Sequence, residues 1–180
     1  MIAWLVILVV LAAAFGPILW FMPSRRERRL TLLRESARKQ GLIVEMRRVR
    51  LASPEPEDRV SAGGEARDGK RECALYTLVS GADTGPDWRV LRNKSGQAHA
   101  QDLAVAGWNW EIRADLSADC LVRMSEVFDA LPDDTLAVEL VQGRAGCYWL
   151  ERVEIEQAES VVALLKTHLE QLVQVAVKCD

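Results

Sequence analysis

Histidine and cysteine are the residues of this chain best suited to bind a metal ion or act as nucleophiles, and both are sparse. The 180 residues include two histidines and four cysteines: His99, His168, Cys73, Cys120, Cys147 and Cys179. Structural zinc sites use cysteines and histidines in closely spaced pairs, and no such pair occurs here. We therefore predict no metal site. Each cysteine has apolar neighbours, as is typical of free thiols in a core, so we expect all four to be reduced and buried.

One tripeptide, Asp83-Thr84-Gly85, matches the sequence that carries the catalytic carboxylate in retroviral-type aspartic proteases. Those enzymes pair two such carboxylates and set the motif between apolar strands. Here Gly81 and Pro86 flank the motif, which indicates a turn. Gly63-Gly64 has no strand before it and no helix after it, so it is not a phosphate-binding loop. The sequence therefore predicts no catalytic residue and no cofactor.

Two indoles, Trp108 and Trp110, are the aromatic pair most suggestive of recognition. They are separated by one residue in a predicted strand, so both lie on the same face of that strand. An exposed pair could anchor a protein partner, because tryptophan is enriched in interface hot spots. A buried pair would fill the core instead, which is the more common use. The sequence leaves both interpretations open.

The element that positions the whole chain is the uncharged segment Ile2–Met22. At 1.5 Å per residue its 21 residues span roughly 31 Å, which matches the hydrocarbon thickness of a bilayer. Trp4 and Trp20 lie near its two ends, where indoles prefer the headgroup boundary. A cleaved signal peptide would have a basic residue before the apolar run, and a soluble core helix is rarely apolar for this length. We therefore predict a membrane anchor over residues 1–23.

Basic residues cluster directly after this segment. The chain has a net charge of −3, which favours no nucleic-acid partner, but residues 24–50 hold ten basic and three acidic residues. The first four of these basic residues are Arg25, Arg26, Arg28 and Arg29. By the positive-inside rule they belong on the cytoplasmic side. We therefore predict a bacterial inner-membrane protein with its N-terminus outside and its C-terminal domain in the cytoplasm.

Residues 24–41 form a predicted juxtamembrane helix. Pro23 separates it from the anchor, and Ser24 and Glu27 have the spacing of a capping box. An apolar stripe at helical spacing and a C-terminal stop complete the pattern: Leu30, Leu33, Ala37 and Gly41. Two interpretations remain. The arginines could hold the helix on the anionic leaflet, or they could serve only as a topology signal while the leucines pack on the domain.

The remaining residues, 42–180, are predicted to form one α+β domain with an antiparallel sheet packed by helices. The predicted strands are Leu42–Leu51, Glu72–Ser80, Trp88–Arg92, Trp108–Arg113, Thr135–Val141 and Cys147–Val153. One helix begins after Ser117 and ends at Pro132, and a second covers Ala158–Lys178. The turn-rich segment Gly81–Pro86 joins the second and third strands, and Gln142–Gly146 closes a hairpin. Residues 52–71 are predicted to be a flexible loop.

In its N-terminal layout the chain resembles the YajC family, an accessory subunit of the bacterial preprotein translocase. The matching features are the apolar segment Ile2–Met22, Pro23 and the basic run Arg25–Arg29, about a fifth of the chain. The family's Arg-Pro-Gln junction is replaced by Met22-Pro23-Ser24, and the soluble domain is larger here. The resemblance implies one membrane helix, a cytoplasmic domain and a supporting role in a membrane complex, and it transfers no functional residue.

Together these patterns predict a single-pass membrane protein that is not an enzyme. Its expected partners are the lipid bilayer and another membrane or membrane-associated protein, with no nucleic acid and no cofactor. The alternative is a membrane-tethered enzyme or ligand-sensing domain whose site is assembled from residues far apart in the sequence.

Overall fold

The computed structural model describes residue 4 and residues 24–60, 64, 66, 68–82, 84–94 and 103–178. The predicted anchor Ile2–Met22, with Trp20, therefore lies outside the described residues except for Trp4, whose side chain is exposed. In the part of the chain that the structure describes, no helix has both the length and the apolar character needed to cross a bilayer.

The described domain is α+β, as predicted. Its helices are α1 (Arg25–Lys39), α2 (Pro56–Arg59), α3 (Ala118–Asp129) and α4 (Ala158–Lys178), with a 3₁₀ turn at Ile155–Gln157. Its strands are β1 (Ile43–Arg50), β2 (Lys70–Val79), β3 (Trp88–Arg92), β4 (Leu103–Val105), β5 (Trp108–Ile112), β6 (Thr135–Val141) and β7 (Arg144–Trp149). The seven strands form one antiparallel sheet in the order β1-β2-β7-β6-β3-β5-β4.

Strands β2 and β3 are not neighbours in this sheet. The hairpin β6–β7 lies between them, so the segment Gly81–Pro86 crosses two strand positions instead of closing a hairpin. The turn residues had indicated a local connection. The hairpin takes the central place because its strands are buried along nearly their whole length, which a two-sided sheet requires of its middle strands.

The turn between β6 and β7 is shorter than predicted. It consists of Gln142 and Gly143, with φ angles of +51° and +70°, which is the conformation of a two-residue type I′ turn. Gly146 belongs to β7, opposite Glu139. A Cβ at Gly146 would lie 2.9 Å from Cγ of Glu139 and 3.0 Å from Cδ1 of Leu75. This glycine therefore permits close packing and does not form the turn.

Helices α1, α3 and α4 cover one face of the sheet. The main core lies between them, and its largest buried side chains are Tyr76, Trp88, Phe128 and Trp149. The opposite face carries a smaller cluster that includes no helical residue: Val49, Cys73, Leu75, Leu91, Leu136, Ala137 and Tyr148. The predicted arrangement of helices on one face of an antiparallel sheet is thus observed.

Part of the predicted flexible loop, residues 52–71, is regular structure. Helix α2 lies within it, and the buried carboxylate of Asp58 accepts two hydrogen bonds from Arg71, at 2.9 and 2.7 Å. Strand β2 also begins at Lys70, two residues earlier than predicted. Residues this rich in charge and proline looked like a loop because the ion pair that orders them joins positions 13 residues apart.

Candidate functional site: an arginine-lined pocket beside the first helix

Helix α1 begins as the sequence predicts. The amide of Glu27 donates to Oγ of Ser24 at 3.2 Å, and the Glu27 carboxylate accepts from the Ser24 amide at 2.6 Å. These bonds lower the pKa of Glu27. The helix ends before Gly41, whose φ of +85° is the left-handed conformation of a helix stop. The predicted capping box and the predicted glycine stop of this helix are therefore both observed.

The C-terminal half of α1 is part of the core. Leu33 and Ala37 are fully buried, and α1 packs against α4 and β1. Arg34 lies one helical turn after Leu30, on the side of α1 that lines a cavity against the sheet. The apolar stripe predicted for this helix therefore packs on the domain, as one of the two interpretations expected.

Arg34 anchors this half of the helix to the end of β7. Its Nε and Nη2 donate to the two carboxylate oxygens of Glu151 at 2.9 and 2.6 Å. The hydroxyl of Tyr76 donates to the same carboxylate at 2.7 Å. Glu151 is only 4% exposed and has a φ of +59°, which is unusual for a residue with a side chain. The hydrogen bond with Glu151 raises the pKa of Arg34, and burial is the main cause that raises the pKa of Tyr76.

Beyond this network, a cavity of about 410 Å³ lies between the N-terminal half of α1 and the sheet. The helix contributes Arg26, Arg29 and Leu30 to its wall. The sheet side contributes Met46 of β1, Glu72 of β2 and, after β7, Arg152. We call this cavity the arginine pocket.

The arginine pocket has an excess of positive charge. Arg34 and Glu151 neutralise each other at its inner end, which leaves Arg26, Arg29 and Arg152 against the single carboxylate of Glu72. None of these three arginine side chains has a hydrogen bond or ion pair to another described residue. Within the described chain, Nε of Arg29 is the one buried side-chain polar atom without a hydrogen-bond partner. The pocket therefore offers guanidinium groups to an acidic ligand.

The structure divides the four arginines predicted to lie at the membrane interface into two pairs. Arg26 and Arg29 line the arginine pocket, whereas Arg25 and Arg28 do not. Of the four, Arg29 is half-buried and the other three are exposed. The division follows from helical geometry, since Arg26 is four residues before Leu30 and Arg29 is four residues before Leu33, and both leucines are on the side of α1 that faces the domain.

The two indoles considered as a partner surface lie elsewhere. Trp108 is 3% exposed, and its ring packs against Phe128 of α3 with the ring centroids 4.9 Å apart. The guanidinium of Arg92 lies over the same indole, 5.5 Å from the ring centroid. Trp108 is thus a core residue and not part of a surface patch, because α3 covers this end of the sheet.

Trp110 is half-buried against the edge of the main core. It also lines a second cavity, of about 600 Å³, together with residues of the segment after β1. The charged side chains around this cavity are Arg50, Arg59, Asp68 and Glu111. This cavity could not be predicted from the sequence, because Trp110 and Arg59, which both line it, are 51 positions apart in the chain.

The cysteines differ from the prediction in one respect. Cys73 and Cys147 are free and buried, as expected, and burial raises the pKa of each thiol to about 12. Cys120, in contrast, is disulfide-bonded, so the prediction of four reduced thiols is wrong. Cys120 lies in the first turn of α3 and shares a small cavity wall with Leu172 and Ala176 near the end of α4. The fold thus brings together helix ends that are distant in sequence. Cys179 lies outside the described residues.

The other residues considered for catalysis or metal binding do not come together as a site among the described residues. His168 shares a hydrogen bond with Gln171 of its own helix, and Thr84 and Gly85 lie in the connection before β3. His99 and Asp83 fall outside the described residues. No three histidine, cysteine or acidic side chains of the described ranges come close enough together to hold a metal ion.

Comparison with known protein families, with characterised proteins and with solved structures gave no match to this chain.

Proposed function

We propose that the chain is a single-pass protein of the bacterial inner membrane whose α+β domain is a non-catalytic binding module on the cytoplasmic face. In this proposal residues 2–22 cross the bilayer, and the domain binds a membrane or membrane-associated protein or supports a membrane complex. The layout shared with the translocase accessory subunit supports a role of the same kind.

One observation carries the proposal: helix α1, which begins three residues after Met22, is built into the domain and is not a flexible linker. Leu33 and Ala37 are fully buried, and Arg34 is held by both oxygens of Glu151. In this proposal only a short junction separates the end of the anchor at Met22 from a helix that is part of the domain, which keeps the domain close to the membrane surface. That arrangement suits a module that presents a particular surface to a neighbour in the membrane.

The anchor can be tested by extraction. Two arginines in the middle of the apolar segment, Leu8→Arg with Leu11→Arg, should each cost about 3 kcal/mol of insertion free energy. We expect the full chain to stay in membranes washed with alkaline carbonate and the double variant to be released. Release of the unsubstituted chain under the same wash would contradict the anchor.

The orientation has a separate test. A reporter that is active only in the periplasm, fused after Asp180, should be silent if the domain is cytoplasmic. An active reporter would place the domain on the other side of the membrane.

The partner can be sought by photo-crosslinking in native membranes. Three exposed apolar side chains lie on different elements and serve as probe positions: Val79 on β2, Val122 on α3 and Leu164 on α4. A docking partner should give a defined adduct from one position and little from the other two. Replacing that position with aspartate should then abolish co-purification of the same protein. Equal adducts at all three positions, or none, would contradict the proposal.

A second candidate function is ligand sensing, and the 600 Å³ cavity beside Trp110 favours it. Its volume is within the range of small-molecule sites, and its wall combines an indole with charges of both signs. A ligand in this cavity should change tryptophan fluorescence in the full chain but not in Trp110→Phe. A fluorescence response that persists in Trp110→Phe would show that the ligand binds elsewhere.

A further inference from the structure

We propose that the arginine pocket binds the phosphodiester group of an anionic phospholipid. This inference rests on the proposed function, because it assumes that residues 2–22 lie in the bilayer. It names the ligand that the first helix meets at the membrane surface.

The first argument is the unused donors. Guanidinium groups present several N–H donors in a plane and bind phosphate oxygens in pairs. In the described chain, Nε of Arg29 is shielded from solvent and has no acceptor, while the pocket-lining Arg26 and Arg152 are exposed and have no ion pair within the described residues. A buried donor without an acceptor is costly, and such atoms are rare in folded proteins. A phosphate oxygen in the pocket would supply the missing acceptor.

The second argument is the charge balance around the pocket. The acidic side chains that line it are Glu151, which is paired with Arg34, and Glu72. Glu72 lies opposite Arg48 in the β1–β2 register, so a further basic residue stands beside it. The pocket therefore keeps a net positive charge, which favours an anion over a zwitterion or a cation.

The third argument is size and lining. A cavity of about 410 Å³ is in the lower part of the range for small-molecule sites. Leu30 and the half-exposed Met46 form an apolar part of its wall, beside the arginines. A phospholipid needs both surfaces, since its phosphate is followed by glycerol carbons and acyl chains. A free inorganic phosphate would leave the apolar wall unused.

The fourth argument is closeness to the membrane. Arg26 and Arg29 are only four and seven residues beyond Met22. If the anchor ends at Met22, this short stretch of chain keeps the pocket within reach of the phosphates of the inner leaflet. A membrane phosphate is thus the nearest and most abundant source of the ligand.

The test uses the purified full chain in a neutral detergent, with three probes compared by thermal shift and calorimetry. The probes are dihexanoyl-phosphatidylglycerol, dihexanoyl-phosphatidylcholine and inorganic phosphate. We expect the anionic lipid to bind at least tenfold more tightly than the other two. Equal binding of inorganic phosphate would assign the site to free phosphate, and equal binding of the zwitterionic lipid would show that charge is not recognised. Either result overturns the proposal.

A matched pair of variants on the same helix tests the pocket itself. Arg29→Gln removes a pocket arginine, and Arg28→Gln removes the same charge from the exposed side. Losing a charge-assisted hydrogen bond should weaken binding of the anionic lipid about tenfold or more in Arg29→Gln. Arg28→Gln should change it less than twofold. Equal losses would mean that the lipid responds only to overall charge, and the pocket would be excluded.

A second pair guards against misfolding of the Arg29 variant. Arg152→Gln removes an arginine that lines the pocket from the sheet side, and Arg144→Gln removes one at the start of β7 that does not line it; both side chains are exposed. The same contrast in binding is expected. The detergent assay does not depend on membrane insertion, so its outcome is independent of the carbonate extraction. Lipid binding with a released chain would preserve the pocket and reject the anchor, and the reverse result would reject only the pocket.

Discussion

The two halves of helix α1 use arginine in different ways. In the C-terminal half, Arg34 has a fixed partner, since both oxygens of Glu151 accept its hydrogen bonds. In the N-terminal half, Arg29 is half-buried like Arg34 and lines the same cavity, yet its buried Nε has no partner in the described chain. A single helix thus contains one arginine that stabilises the fold and another that the fold leaves unsatisfied. The contrast separates what holds the domain together from what is available to a ligand.

The largest effect on stability should come from removing an apolar contact in the C-terminal half of α1. Leu33→Ala deletes a fully buried side chain and should lower the free energy of unfolding by about 3 kcal/mol. Leu32→Ala is the matched control, because its neighbour Leu32 is 47% exposed and should change stability by less than about 0.5 kcal/mol. Urea denaturation of the full chain measures both. Similar losses in the two variants would mean that α1 is not docked on the face described here.

The ion pair between Arg34 and Glu151 should give the next largest effect on the free energy of unfolding. Glu151→Gln keeps the shape of the side chain but leaves Arg34 without its counter-charge, and Arg34 is 27% exposed, so water can compensate in part. We expect a loss of about 2 kcal/mol. Glu154→Gln, an exposed change three residues later, should be neutral. A double-mutant cycle with Arg34→Gln isolates the pair. A coupling free energy near zero would show that the two charges do not stabilise each other.

Local patterns in the sequence were enough to predict α1 and α4. Ser24 and Glu27 form the predicted capping box, Gly41 stops the helix, and α4 runs from Ala158 to Lys178 as predicted. These features depend on residues within one or two helical turns of each other. Strand positions were also recognisable from alternation, although the short strand β4 was missed because three residues are too few to show a period.

The candidate site could not be predicted in the same way. Arg34 and Glu151 are 117 positions apart, and no spacing rule connects them. Glutamate rarely adopts a positive φ, so nothing in the sequence identified Glu151 as the residue that turns back toward α1. The distinction between Arg28 and Arg29 is a matter of which side of α1 is covered. The covered side depends on the tertiary structure, in which the neighbouring strands β1 and β2 lie beneath the helix.

A smaller effect should appear at alkaline pH. The pKa of Tyr76 is raised in the folded state, so its hydroxyl keeps its proton there while the unfolded chain loses the proton above its ordinary pKa of about 10. Stability is therefore intact below pH 10 and falls as the pH rises. By pH 11 the loss from this residue should be on the order of 1 kcal/mol. Tyr76→Phe should lose less stability between pH 9 and 11 than the unsubstituted chain does. An unchanged pH dependence in this variant would mean that Tyr76 ionises freely in the fold.

The smallest effect on stability is expected in the N-terminal half of α1. It can be measured by comparing two helices that each begin with a serine cap. Ser24 caps α1 where the helix overhangs the arginine pocket, and Ser117 caps α3 where Cys120 is already buried. Each Ser→Ala change removes one cap hydrogen bond, worth about 1 kcal/mol. In Ser117→Ala that loss should appear in the free energy of unfolding, because the first turn of α3 unfolds only with the core. In Ser24→Ala it should appear as local fraying, with about fivefold faster hydrogen exchange at the Glu27 amide and little change in global stability. A global loss in Ser24→Ala equal to that in Ser117→Ala would show that the N-terminal half of α1 is held by tertiary contacts as firmly as the C-terminal half.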